Sequence, residues 1–331
     1  MRKRYVAFRD GELCAVEDVP WGEDALLTFV FFEDHPSGRY GLMAYNGHYL
    51  TASGKLSPSV TRETQFLLGF HDDCISLRDE NGNYISCVGA NGTLKAAKNK
   101  VTRDELFKMT DSEPQFVIVD SKGKQVSIRS SVEVKADQVD VSDAERFQLE
   151  LNPNGNGTVA FKCNNNNYFA VTGDGTVTAT SPRKEGNTYF KVDWNGTRVK
   201  FAASNGKYIT VRSNGALVAN GNGSDPTSIF TLTLINRPEL VLRGQYGFVG
   251  LKGASGRVEV NRSHPDTFLL TSRDGAYNLS HGGKYWTVDR DGVAVTSDSP
   301  VDFYFEFVER SKFLIKHSAT GKYLEGEQAG G

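Results

Sequence analysis

The sequence is poor in the features that mark membrane, secreted and metal-bound proteins. It has four cysteines in 331 residues (Cys14, Cys74, Cys87, Cys163), scattered without CxxC spacing, which argues against a disulfide framework or a zinc ribbon and for a reduced, cytosolic interior. No apolar run approaches the roughly 20 residues that span a bilayer, so membrane insertion is not expected. The opening Met-Arg-Lys-Arg-Tyr-Val carries charge with no apolar stretch behind it, which is not the pattern of a secretory signal. Cations are not in excess either: 38 Lys and Arg face 40 Asp and Glu, for a net charge of −2. The broad basic field of a nucleic-acid binder is therefore missing. The six histidines (His35, His48, His71, His264, His281, His317) form no HExxH or paired Cys/His pattern, and no nucleophile elbow occurs. No catalytic residues, metal site or cofactor are expected. Sustained 3.6-residue apolar periodicity is absent as well, so helices should be no more than single turns, as around Arg103-Asp104-Glu105-Leu106.

What the sequence does hold is a repeat of about forty residues. The segments beginning at Val199 and Ala276 share one grammar: an alternating strand, a Gly turn, an aromatic-led strand, a second Gly turn, a strand of the form G-x-L/V, a polar loop and a last strand headed by Phe. The aromatic-led strand recurs at Tyr5, Tyr49, Tyr84, Tyr168, Tyr208, Phe248, Tyr285 and Tyr323, with Val126 in the remaining slot. The Phe-headed strand recurs at Phe66, Phe107, Phe147, Phe190, Phe230, Phe268 and Phe305. Alternation as in Phe230-Thr-Leu232-Thr-Leu234 puts apolar side chains on one face. Pairs such as Asn205-Gly206 and Asp174-Gly175 supply the positive φ of tight hairpins. Turn chemistry also accounts for most of the Asn-x-Ser/Thr sequons at Asn91, Asn156, Asn195, Asn222, Asn261 and Asn278.

A unit of four short strands cannot bury its own apolar face. Three units closing into a six-stranded barrel capped by three hairpins can. The chain is thus expected to be all-β, with three tandem β-trefoil domains at residues 1–113, 114–236 and 237–331. The first and last are expected to lack strands at the chain ends. On that reading the chain is a fragment, or a truncated gene model, whose end domains are less stable than the centre. A propeller is the structural alternative, but Trp21, Trp194 and Trp286 do not form a Trp-Asp blade signature.

Specific stretches carry a resemblance across nearly the whole chain: VPWG (Val19–Gly22), GTLKA (Gly92–Ala96), DELF (Asp104–Phe107), FQLE (Phe147–Glu150), LINRP (Leu234–Pro238), NRS (Asn261–Ser263), DGAYN (Asp274–Asn278), GKYWTV (Gly283–Val288) and PVDF (Pro300–Phe303). Their order and spacing resemble the fascin family, whose members bundle actin filaments with four tandem β-trefoils. The chain is similar to the second, the third and most of the fourth. The resemblance implies a non-enzymatic, monomeric cross-linker of filamentous actin, in the cytoplasm, at the actin cytoskeleton of cell projections such as filopodia. It further implies actin-contacting roles for Arg2, Lys3, Arg4, Arg198, Lys207, Arg212, Arg237 and Arg243, and phosphorylation at Ser127. Gln245-Tyr246, Asn167 and Thr233 depart from the family's charged residues and put part of that surface in question. A further basic cluster, Lys95, Lys98, Lys100 and Arg103, follows from the residues alone, as does Lys200 beside Arg198. The alternative function is a carbohydrate-binding trefoil, against which stands the absence of a Gln-x-Trp repeat.

Overall fold

A computed structural model describes residues 4–32, 38–129, 132–154, 157–309 and 312–329. The chain divides into two compact units, Met1–Ser112 and Glu113–Gly331. Regular structure in the described residues consists of short antiparallel strands and single 3-10 turns, as the alternation and the missing helical period require.

The fold is plainest in the middle of the sequence. Strands Gln115–Asp120, Arg146–Leu151, Thr158–Lys162, Phe190–Asn195, Arg198–Ala203 and Phe230–Leu234 pair in succession, and the last returns to the first. This closes a six-stranded barrel, which leaves no barrel edge unpaired. Three hairpins cap it: Gln125–Ser127 with Lys135–Gln138, Tyr168–Val171 with Val177–Ser181, and Tyr208–Val211 with Leu217–Gly221. They also join one another, through Val134 N to Val177 O, Leu217 N to Val134 O and Ala219 N to Gly175 O at 2.7–3.0 Å. The molecule is a tandem β-trefoil.

The G-x-L/V motif has a second cause besides its turn. Gly175 and Gly215 have φ of 87° and 85°, and a Cβ on them would lie 3.2 Å from Ala219 O and 3.0 Å from Ala136 O. Only glycine allows the next hairpin's backbone to come that close.

Under the hairpins, Phe116, Phe147, Phe161, Phe190 and Phe230 fill the barrel with at most 2% exposure. The 3-10 turns before Phe66, Phe107, Phe147, Phe190 and Phe230 are pinned from within. Thr61 N donates to Thr64 Oγ1, Thr102 N to Glu105 Oε2, Ser142 N to Glu145 Oε2 and Glu185 N to Thr188 Oγ1, at 2.6–2.9 Å. In the Pro226–Ser228 turn, Ser228 Oγ donates to Asp225 O. Thr64, Glu105, Glu145, Thr188 and Ser228 are all essentially inaccessible. Each stands two residues before a barrel phenylalanine, so capping the turn sets that ring's entry into the core.

In the unit Met1–Ser112, ring strands Leu27–Phe32, Arg39–Ala44, Leu67–His71 and Cys74–Arg78 are extended by the bridges Tyr40–Phe66 and Ile75–Phe107. Leu13, Leu42, Leu50, Phe66, Leu77, Ile85 and Leu94 form its core. Farther along the chain, strands Glu239–Val241, Thr267–Arg273, Ala276–His281, Phe303–Glu309 and Lys312–His317 pair in that order. The Phe-headed strand here begins at Phe303, not at the expected Phe305. Phe303, Phe305 and Phe307 all face inward and are buried, so alternation alone leaves the phase open by two residues.

The middle barrel and the C-terminal strands share one apolar cluster within the unit Glu113–Gly331. Phe307 packs edge-on against Phe116 at 5.3 Å and lies 6.3 Å from Trp194. Buried Tyr277 accepts a hydrogen bond from Leu234 N at 3.1 Å. Its phenol is held protonated, because burial pushes its pKa far above the ordinary value.

Candidate functional site

The expected cations fall into distinct environments. Arg2 and Lys3 lie outside the described residues. Arg4 is exposed but engaged: its Nη1 donates to Val16 O at 2.6 Å and pairs with Asp18 at 3.2 Å. Arg237 is half-buried, and one N–H donates to Asn236 O at 2.8 Å. Burial lowers its pKa, with the charge of Glu113 opposing. The others are displayed. Arg198 opens the strand Arg198–Ala203 and donates to Thr231 Oγ1 at 2.7 Å. Lys207 sits in the Asn205-Gly206 turn, and Arg212 just beyond the strand Tyr208–Val211. They are separated by about 17 Å of extended chain. Arg243 lies with its guanidinium 5.5 Å from the Phe248 ring centroid, a contact worth about 0.5–1 kcal/mol. Among the described residues, none of these four is ion-paired to a carboxylate, and all are exposed. The same holds for Lys95, Lys98, Lys100 and Arg103 in the first unit.

Arg198 also borders an open cleft of about 310 Å³ on the middle trefoil. Its walls include Trp194, Lys200 and Tyr208, with Asp193, Asn222 and Gly223 between them. Lys200 Nζ donates to Gly223 O at 2.6 Å, and Tyr208 Oη donates to Asp193 Oδ2 at 2.5 Å. That bond raises the Tyr208 pKa. In the sequence Tyr208 reads as the head of an aromatic-led strand, and Trp194 carries no surface signal. Trp286, by contrast, is 2% exposed and packs edge-on against Phe268 at 5.0 Å, the core role its strand slot suggests.

Ser127 is buried. Its hydroxyl donates to Glu145 Oε1 at 2.6 Å and accepts from Arg129 N at 3.0 Å. Glu145 Oε2 accepts in addition from Ser142 and from Arg129 Nη2 at 2.8 Å. Burial would raise the Glu145 pKa, but the hydrogen bonds from Ser127, Ser142 and Arg129 outweigh it and hold the carboxyl below its ordinary value. A phosphate on Ser127 would confront that carboxylate, so modification requires this turn to open.

The displayed cations thus lie on hydrogen-bonded β-trefoil frames. Among the described residues, no group of three or more His, Cys, Asp or Glu is placed to hold a metal ion. The fascin domain model matches residues 4–109, 121–232 and 245–331. The chain is 36% identical to mouse (Mus musculus) Fascin-2 and 37% identical to human (Homo sapiens) Fascin-2, each over 334 residues, covering 99% of this chain and 67% of those proteins. It is 33% identical to sea urchin (Strongylocentrotus purpuratus) Fascin over 332 residues, covering 97% of this chain and 65% of that protein. The chain belongs to the fascin family.

Proposed function

We propose that this protein binds actin filaments and cross-links them into bundles, acting as a monomer at the cytoplasmic actin cytoskeleton of cell projections. The observation that carries the reading is the set of displayed cations in each compact unit: Arg198, Lys207, Arg212 and Arg243 in one, Lys95, Lys98, Lys100 and Arg103 in the other, none paired to a carboxylate among the described residues. Family membership supplies the partner. Arg4 and Arg237 would contribute less, since each already has local partners. Arg2 and Lys3 keep the role the resemblance implies.

Single exposed ion pairs stabilise by only about 0.2–1 kcal/mol. Four together reach a few kcal/mol, and the repeating filament raises the apparent affinity by multivalency. Cross-linking needs two such surfaces on one molecule. The closed barrel with its interlocked hairpins carries Arg198, Lys207 and Arg212 on one hydrogen-bonded frame, and the first unit carries the second set.

Filament sedimentation tests the proposal. High-speed pelleting reads binding and low-speed pelleting reads bundling. Combined charge reversal at Arg198, Lys207 and Arg212 should abolish low-speed pelleting, and so should reversal at Lys95, Lys98 and Lys100. Each triple variant should retain partial high-speed pelleting. If the parent chain pellets with filaments at neither speed, the proposal is wrong.

A further inference from the structure

We propose that the cleft beside Trp194 is a binding site for a small phosphate monoester carried on a ring, such as a nucleotide or a sugar phosphate.

The argument begins with the repeat. In the trefoil register Phe147 corresponds to Phe190, Tyr168 to Tyr208, and Phe190 to Phe230. The two loops that follow, 181–190 and 221–230, have equal length, so positions compare one to one. In the earlier repeat, Tyr168 Oη donates to Glu150 and Lys184 Nζ closes over the same carboxylate at 2.8 Å. Lys184 Nζ also lies 6.0 Å from the Tyr168 ring centroid, which is nearly buried. That position is sealed. In the later repeat Tyr208 and Asp193 form the same pair, but Ser224 stands where Lys184 would be and Gly223 where Arg183 would be. A Cβ on Gly223 would lie 2.8 Å from the Tyr208 ring. Gly223 thus brings backbone and no side chain against that ring, and Ser224 puts no cation over Asp193, so the cleft lacks the lysine that seals the sister repeat.

The same register shows what the opening has acquired. Trp194 replaces Leu151, Arg198 replaces Thr158 and Lys200 replaces Ala160. An aromatic plate and two cations have entered one cleft together. Its hydrogen-bonding capacity is mostly donor: Arg198 and Lys200 each use one N–H on a neighbour and keep others, and the amides of Asn195 and Asn222 lie alongside. The carboxylate of the lining, Asp193, already accepts from Tyr208 and lies 3.7 Å from Lys191. A ligand here should therefore be rich in acceptors and negatively charged, which suits phosphate held by Arg and Lys. Trp194 and Tyr208 line the cleft and supply aromatic surface for a ligand ring. The volume lies at the lower end of small-ligand pockets.

Arg198 is also among the proposed filament contacts. An occupied cleft would compete for it, a consequence that rests on the filament reading. The site itself is tested without filaments.

Calorimetric titration of the purified chain should use AMP, glucose 6-phosphate, adenosine, glucose and inorganic phosphate. At least one of the two phosphate esters should bind, at least tenfold tighter than its neutral counterpart and tighter than inorganic phosphate; which one binds separates nucleotide from sugar phosphate. Arg198→Met and Lys200→Met should each weaken that binding about tenfold or more. Ser224→Lys, which copies the sealed repeat, should abolish it while leaving the thermal melt unchanged. Absence of heat with both esters at millimolar concentration would overturn the proposal. So would equal binding of the neutral compounds, or unaltered binding by Ser224→Lys.

Discussion

Replacing Ser127 with Asp tests whether the inward-capped turns carry the fold. Ser127 and Glu145 are 2% and 0% exposed, with the hydroxyl donating to Oε1 at 2.6 Å. Aspartate replaces that donor by a second carboxylate facing Glu145, while its oxygens can still accept from Arg129 N. An uncompensated buried charge costs about 3–5 kcal/mol. For a body the size of Glu113–Gly331 this lowers the melting temperature by roughly 6–20 °C. Ser127→Ala leaves Oε1 without its donor and Arg129 N without its acceptor but adds no charge, at about 1–3 kcal/mol. Circular-dichroism melts and urea titrations should rank parent, alanine and aspartate in that order. The acid limb gives a second reading. Because the Glu145 pKa is lowered in the folded state, its contribution is complete above the ordinary value of 4.5 and is lost as the pH falls through the lower folded value. Ser127→Ala should flatten that limb. An aspartate variant melting within about 2 °C of the parent would refute the reasoning.

Two further perturbations probe other joints. Tyr277→Phe strands the Leu234 N–H, whose acceptor is the phenol oxygen, and should cost about 1–3 kcal/mol in urea titration; a loss below about 0.5 kcal/mol would remove the phenol from the joint. Gly215→Ala should destabilise more than Gly206→Ala, although both glycines have positive φ, since only at Gly215 does a Cβ meet backbone, 3.0 Å from Ala136 O. The gap should be about 1–3 kcal/mol, the cost of overpacking, and equal melting temperatures would contradict the close-approach argument.

The repeat was legible because its signals are local. Asn-Gly turns and strict alternation are read within a few residues, and they led directly to hairpins and barrel strands. The inward caps were not, because their residues share an oxygen rather than an identity: Thr64, Glu105, Glu145, Thr188 and Ser228 look unrelated in sequence. Two of them are glutamates, ordinarily assigned to the surface. The recurring pattern of a capping residue, a polar residue three later and an aromatic two beyond that is the signal that could have found them. Among the candidate site residues, residue type showed the cations but not their surroundings. Asp18 beside Arg4 and the half-burial of Arg237 depend on long-range packing. The cleft was not legible in the sequence, because Gly223 and Ser224 gain meaning only beside Arg183 and Lys184 of the neighbouring repeat.

The inward caps have an evolutionary consequence. The loops that end at Phe66, Phe107, Phe147, Phe190 and Phe230 are each anchored by a side chain pointing into the protein, which leaves residues on their outer side free to vary. Duplication then provides interchangeable facets on an unchanged frame. One facet can be plugged with lysine and the next hollowed with glycine, and new surfaces can be tried on a single third of a trefoil while its sisters preserve the barrel.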